Sequence, residues 1–352
     1  MSAYDIAIIG LGPAGATIAR LLDKKFKIIA IDKKSDAEDS FRKPCGGLLA
    51  TDAQIALSKF NLTLPKEILA DPQIFAVKTI DSKQNLLRYY QRFYINLDRH
   101  KFDRWLISLI PEHVENVGDA RCKEIKSIED GFEITYQQGN TDRTITARYV
   151  IGADGASSIV RKTLFPERKI PQYISIQQWF VEKHQTPFYS CIFDSDITDS
   201  YCWSISKDGY FILGGAFPTH VGRQRFALLK EKLQQQGFSF GEAVKTEACL
   251  VSMPRGLRDF CIGKGRAFLI GEAAGFISPS SLEGISYAFN SAYELARVFN
   301  SGDTRLVWKM SLKSLPMKIK LLLKHLKSPF MYHPFLRKII MKSGLNSIEV
   351  KE

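Results

Sequence analysis

The sequence predicts an α/β protein built on a dinucleotide-binding βαβ unit, and three observations carry that expectation. The first thirty-two residues read strand, glycine loop, helix, strand, carboxylate. Two later apolar runs end in glycine-and-acid turns, at Gly152-Ala153-Asp154-Gly155 and at Gly271-Glu272-Ala273-Ala274-Gly275. Between these turns, residues 173–251 are mostly alternating or aromatic segments, the composition of an antiparallel sheet with a hydrophobic face.

In the opening unit, residues 5–9 form a short apolar run entering Gly10-Leu11-Gly12-Pro13-Ala14-Gly15. An amphipathic segment continues to Leu22, and a second apolar run over 26–31 ends at Asp32. Gly10 permits the tight turn, Gly12 lets backbone N–H groups approach a pyrophosphate at the helix N-terminus, and Gly15 lets helix and strand pack closely. Asp32 can accept from a ribose hydroxyl. A glycine fingerprint alone is weak evidence, but here strand, helix and terminal acid all stand where the chemistry needs them.

After a loop at Lys43-Pro44-Cys45-Gly46-Gly47, a helical stretch leads to extended segments near 73–80 and 87–94. Residues 100–110 return to helical spacing, with Phe102, Leu106 and Leu109 on one face. Residues 133–136 and 144–151, separated by a turn containing Gly139-Asn140, read as a hairpin. Strands over 174–181, 201–206 and 210–216 follow, with a helix over 224–235. Residues 266–270 form another strand, and the helix expected over 286–299 has a stripe of small residues, Gly284, Ala288, Ala292 and Ala296, suited to close packing.

With 352 residues, 45% of them hydrophobic and 24% charged, the chain is globular and long enough for two or three domains. Its six cysteines include no C-x-x-C pair, which argues against a zinc ribbon or disulfide framework and for reduced thiols in a cytoplasm. The six histidines are dispersed, so no metal site is expected. Asp5 precedes the first apolar run and glycines break it, unlike a signal peptide. The net charge of +12 is concentrated in one tail, because residues 305–342 carry ten basic residues and no acid. That distribution argues against nucleic acid as the partner. Within the tail, Lys320, Lys324 and Lys327 fall on one face of a helix expected over 317–327, beside Leu321, Leu322, Leu323 and Leu326. Pro316 is expected in that helix's first turn, and Pro334 in the first turn of a second helix over 335–341. Such a segment suits an anionic membrane surface, or else its leucines pack inward and its lysines are merely solvated.

The three glycine-acid elements, in this order, resemble those of FAD-dependent oxidoreductases of the p-hydroxybenzoate-hydroxylase type. The resemblance implies a glutathione-reductase-like FAD-binding fold, an antiparallel β substrate domain and a C-terminal helical segment. On that pattern the FAD domain is assembled from residues 1–72, 96–165 and 252–300, the substrate domain from 73–95 and 166–251, and the basic segment is 301–352. Non-covalent FAD would be held by Gly10, Gly12, Pro13, Ala14, Gly15, Asp32 and Lys33, with Asp154 and Gly155 at the pyrophosphate. Glu272 would take the place of an aspartate that bonds the ribityl chain. Ala273 to Gly275 would aim a helix N-terminus at the flavin, with Gly284 and Ile285 nearby.

Within that group, Lys43-Pro44-Cys45-Gly46-Gly47-Leu48 resembles the P-C-G-G signature of the geranylgeranyl reductase family. Leu97-Asp98-Arg99-x-x-Phe102-Asp103-x-x-Leu106 is similar to its arginine helix, and Tyr201-Cys202-Trp203 to the start of its Y-x-W-x-F-P motif, with Ile205-Ser206 in place of F-P. The resemblance implies that Cys45, Gly46, Gly47 and Arg99 adjoin the cofactor and that Trp179, Tyr201 and Trp203 line the substrate pocket. It further implies reduction of carbon–carbon double bonds in a prenyl lipid by hydride from reduced flavin, with NAD(P)H or another reductant as electron source. Cys45 is then the candidate proton donor. As plain residues, Cys45 could equally be buried packing, the aromatics sheet core, and Arg99 a solvated side chain. A flavin-dependent aromatic monooxygenase and a non-catalytic, flavin-containing membrane-surface protein are the alternative readings. A halogenase ranks behind them, since the first Trp and the Pro of W-x-W-x-I-P are absent. The expected location is cytoplasmic, with peripheral contact at the inner face of the membrane.

Overall fold

An apolar strand buried on both faces belongs in a sheet covered on either side, and Ile28–Ile31, with all four residues buried, is such a strand. The computed structural model describes residues 3–35, 42–182 and 188–351. The chain divides into two units, the first comprising Met1–Arg42, Phe102–Pro171 and Ser252–Leu323.

In the first unit, Ala267–Leu269, Thr141–Gly152, Ala3–Ile9, Ile28–Ile31 and Val114–Val117 lie parallel and adjacent in that order. The register aligns Leu269 with Gly152, Gly152 with Ile9, and Ile9 with Ile31. All three glycine-acid elements therefore leave the same edge of the sheet, at the carboxyl ends of the strands. The predicted hairpin is present as Gly131–Gln138 and Thr141–Gly152, and Ala120–Ile128 adds a further antiparallel strand. Helices Pro13–Leu21 and Ile285–Asn300 pack on one another. Ala288, Ala292 and Ala296 are buried there, so the small-residue stripe forms a contact face.

The second unit comprises Lys43–Lys101, Gln172–Val251 and Lys324–Glu352. Its sheet runs, in spatial order, Ala243–Ser252, Gln172–Val181, Tyr210–Pro218, Cys202–Lys207, Phe188–Phe193, Ala76–Asp81 and Leu86–Gln91. Phe188–Phe193 and Ala76–Asp81 pair in parallel. One face is covered by helix Gly222–Gln235, whose Phe226, Leu229 and Leu233 pack against Ile176, Leu213 and Phe217. Strand alternation places Tyr201, Trp203, Ile205 and Lys207 on the other face.

Two expectations are corrected. Residues 43–72 and 96–101 belong to the second unit rather than with the nucleotide fold. The cause is pairing: Leu48–Leu49 bonds to Ile95–Asn96, and the buried Asn96 amide donates to the carbonyls of Pro72 and Ser206. The tail is also not a separate segment, being divided between the units at Leu323. Its helix does not begin at Pro316 but runs unbroken over Leu306–Tyr332. Proline in a helix interior forfeits one backbone bond. Burial of Met310 and Leu321 in the first unit's core, on either side of Pro316, offsets that loss. Pro334 does open the last helix, Pro334–Ser343.

Arg337, counted among the surface charges of the tail, is instead buried against Asp81 at 2.7 Å, with side chains 5% and 0% exposed. It also donates to the carbonyls of Met331 and Tyr332 and lies over the Phe193 ring. Removing one member of a buried ion pair leaves the other uncompensated. Arg337→Met should therefore lower unfolding free energy in urea by about 3–5 kcal/mol. A loss below about 1 kcal/mol, the usual value of a surface pair, would show that Asp81 is rehydrated in the variant.

Candidate active site

The glycine loop is shaped by contacts no larger residue could make. Gly10 has φ +95°, and a Cβ there would lie 2.8 Å from the Ala153 carbonyl oxygen, so the first and second motifs touch through backbone. A Cβ on Gly15 would meet the Gly10 oxygen at 1.8 Å. Gly12 differs: a Cβ there would meet only Lys34 Nζ, at 4.0 Å. It caps helix Pro13–Leu21, whose first-turn N–H groups have no intrahelical acceptor. An open space at such a helix end fits a pyrophosphate. Pro13 at the first position has no N–H to leave unsatisfied, and Ala14 packs toward Gly271.

Asp32 is 7% exposed, and its carboxylate accepts from Leu11 N–H and, at 2.7 Å, from Lys34 N–H. It thus holds the loop closed. Lys33 is exposed. The neighbouring Lys34, which sequence reasoning missed, is the cation turned toward the loop, bonding the Leu11 carbonyl at 3.2 Å and pairing with buried Asp103 at 3.2 Å. Asp103 lies in the expected arginine helix, so its spacing from Arg99 was the available signal.

The second motif presents an unpartnered acceptor. Asp154 Oδ2 takes the Ile159 N–H at 2.6 Å, while the buried Oδ1 has no protein partner. Desolvation raises the Asp154 carboxyl above its usual range. Arg161, buried nearby, joins this turn to the third motif by donating to the Ala273 carbonyl at 2.9 Å and the Asp259 carbonyl at 2.8 Å. A Cβ on Gly155 would lie 3.8 Å from Glu272 Oε2, and Glu272 Oε1 accepts from Ser252 N–H at 2.8 Å. Residues Gly271–Ala274 form a short 3-10 turn closed by Gly275 at φ +86°. That left-handed residue ends the turn, and the α-helix expected over 286–299 begins at Ile285 after Gly284. Its first turn is capped by Glu283, which accepts from Ser286 N–H and Oγ. The open cradle at Gly12 and the orphaned Asp154 oxygen fit FAD.

In the second unit, the Pro44-Cys45-Gly46-Gly47 loop rests on a buried ammonium. Lys207 is 4% exposed and donates to the carbonyls of Gly46 at 2.8 Å and Leu97 at 2.6 Å. Gly47, at φ +68°, is required because a Cβ would meet Lys207 Nζ and the Leu97 oxygen at 2.3 Å. Its N–H points to Cys45 Sγ at 3.4 Å, and Cys45 is half-buried. Burial lowers the Lys207 ammonium to about 8, opposed by electrostatic attraction from Cys45, Asp98 and Asp208. The signal for Lys207 was its place on the alternating strand with Trp203. Arg99 is half-buried at the first position of helix Arg99–Ser108, whose N-terminal N–H groups are capped by Asp98.

The three aromatic candidates separate. Tyr201 stacks at a tilt on Trp203, centroids 5.7 Å apart, and burial holds the Tyr201 hydroxyl well above its usual range. Trp203 is 7% exposed and its indole N–H has no partner. Its ring lies over Gly214, where a Cβ would clash at 2.5 Å, and its Nε1 is 3.9 Å from the position of a Gly46 Cβ. Trp179 is engaged: its indole N–H donates to Glu247 at 2.8 Å. Against a desolvation penalty, Lys245, Gln177 and Trp179 hold that carboxyl below its usual range. Gln177, 1% exposed, gives its amide N–H to Glu247, leaving its carbonyl oxygen unpartnered. Gln177, Gly214, Trp203 and Cys191 form one cross-strand row. The sheet face therefore offers one buried donor and one buried acceptor in an aromatic setting.

The FAD binding domain family matches residues 121–236. Protein CbrA of Escherichia coli O139:H28 is 52% identical over 352 residues, covering 99% of both chains. Protein CbrA of Shigella flexneri serotype 5b is likewise 52% identical, over 99% of this chain and 95% of the relative. Among solved structures, a geranylgeranyl bacteriochlorophyll reductase-like protein from Thermoplasma acidophilum has a TM-score of 0.71 at 19% identity, covering 99% of this chain and 89% of that one. PqsL, a probable FAD-dependent monooxygenase from Pseudomonas aeruginosa, gives 0.71 at 15% identity over 98% and 100%. The fold is thus the p-hydroxybenzoate-hydroxylase type that the motif order predicts.

Gly12→Val should abolish flavin content in purified protein, measured by absorbance, because an isopropyl group would fill the pyrophosphate space. Full occupancy would refute the cradle. For Lys207, the unfolded chain holds a proton between about pH 8 and 10.5 that the native state has released, so raising pH across that window favours the native state. Below it both states are protonated and the burial cost is fully present. Urea stability of the wild type should rise relative to Lys207→Met across that window, whereas parallel pH curves would show an ordinary solvated lysine.

Proposed function

The chain belongs to the CbrA family and is an FAD-dependent oxidoreductase, and from that premise we propose that it reduces carbon–carbon double bonds of a prenyl lipid. The observation that carries this reading is the Pro44-Cys45-Gly46-Gly47 loop seated on buried Lys207. Saturating an alkene requires a hydride equivalent at one carbon and a proton at the other. When bound, FAD supplies the hydride chemistry, replenished by NAD(P)H or another reductant. The chain must supply the proton and exclude water.

In this reading Cys45, whose Sγ accepts from the Gly47 N–H, performs the first task. The Lys207 ammonium anchors the loop that carries Cys45 by donating to the Gly46 and Leu97 carbonyls. Tyr201, Trp203, Ile205 and Ile212 are buried and provide apolar surface on the sheet. Burial keeps the Tyr189 and Tyr201 hydroxyls protonated and pushes the Cys191 thiol up to about 12, so none of them acts as a base near neutrality. That environment suits a substrate without charge. The cofactor contacts inferred for Arg99, Gly46 and Gly47 belong to the same reading.

A second reading, hydroxylation of an aromatic substrate, is favoured by one observation. The unpartnered Trp203 N–H and Gln177 carbonyl suit a phenolic hydroxyl, which accepts and donates at one atom. Mass spectrometry of products separates the readings. Anaerobic incubation of reduced holoenzyme with geranylgeraniol should add two hydrogens per double bond. Oxygen-dependent addition of one oxygen to a phenol would favour the second, and no turnover of either would leave a flavin-containing binding protein. Cys45→Ala should keep FAD and its chemical reduction yet lose alkene reduction by roughly 10²-fold or more. Unchanged turnover would reduce Cys45 to packing, and loss of flavin would make it a cofactor-loop residue.

A further inference from the structure

The long helix Leu306–Tyr332 buries Leu306, Met310, Ser314 and Leu321 along one side. Its opposite side is apolar too. Trp308, Leu312, Leu315, Ile319, Leu323, Leu326 and Phe330 are each between 47% and 69% exposed. At about 100° per residue, all seven fall within an arc of roughly 80°, centred opposite the buried side. This is not the leucine face expected from the sequence, since Leu321 is 1% exposed and packed in the core. Isolated exposed apolar residues are ordinary, but a continuous row along about 33 Å of helix marks a contact surface.

Charge identifies what covers it. Lys313, Lys320 and Lys327 are exposed and lie along one flank of the row, and no acid occurs between Asp303 and Glu349. Lys309 on the same flank pairs with Asp303 at 2.7 Å. A second copy would bring an equally basic helix against this one, with like charges opposed. An anionic bilayer meets both features, taking the apolar row into its interface and the lysines among its headgroups. No described helix is long and apolar enough to cross a membrane. We infer that the Trp308 to Phe330 face of this helix docks the protein on an anionic lipid surface, lying in the interface plane. The inference does not depend on the reaction catalysed.

The full-length, FAD-loaded protein is sedimented with vesicles of phosphatidylglycerol and phosphatidylcholine or of phosphatidylcholine alone. The mixed vesicles should bind it more tightly, with affinity falling as salt rises. Lys313→Gln with Lys320→Gln and Lys327→Gln should weaken binding by on the order of 100-fold, near fivefold per charge. Leu315→Ser with Leu326→Ser, both at exposed positions, should abolish binding while leaving flavin content and thermal unfolding unchanged. Brominated lipid should quench Trp308, identified by the signal lost in Trp308→Phe. Equal recovery in the supernatant with both vesicles at low salt would overturn the proposal. So would absence of Trp308 quenching, or a dimer in sedimentation velocity that the serine pair dissolves without any vesicle binding. Lipid binding without alkene reduction would leave the docking face standing and remove only the catalytic reading.

Discussion

The first unit depends on the register of its parallel strands. Leu269, Gly152, Ile9 and Ile31 end on one line, so chain segments more than a hundred residues apart turn at the same edge. Shifting one strand by a residue would point its buried side chains to the opposite face and carry its turn out of line. The direct backbone contact of Gly10 with Ala153 and the bond from Arg161 to Ala273 are possible only in this register. Cofactor binding is thus a property of sheet alignment as much as of the motif residues.

The second unit solves a different problem. The sheet face opposite helix Gly222–Gln235 carries buried polar atoms that a purely apolar core would exclude, and each is held in place by a neighbour. Glu247 takes the Gln177 and Trp179 N–H groups, which fixes the direction of the Gln177 carbonyl. Gly214 has no side chain, which fixes the Trp203 ring over its strand. Unmet hydrogen-bonding groups are costly in a dry setting.

Sequence reading recovered what local backbone chemistry dictates. Glycines with positive φ, a helix opened by Gly12-Pro13, a strand ending at Asp32 and alternation through Tyr201 and Trp203 are all written within a few residues, and so were visible. Lys207, Lys34 and Arg337 were not. Each acts on a partner distant in sequence: Lys207 on Gly46, Lys34 on Asp103, Arg337 on Asp81. A lysine's type says that it is charged, and only the fold says that its charge is buried. The same limit explains the tail, where Pro316 signals a boundary locally and the burial of Met310 and Leu321 overrides it.

The discontinuity of the first unit also sets a clock. Asp32 is synthesised first, and Glu272 and Gly275, at the same edge of the sheet, follow about 240 residues later. At roughly 5–20 residues per second, that interval lasts on the order of 10–50 s. During it the nascent chain exposes the face of helix Pro13–Leu21 on which helix Ile285–Asn300 packs. The shared edge of the three glycine-acid turns is therefore complete only after that interval. Chaperone demand should track the synthesis of the middle of the chain rather than its beginning.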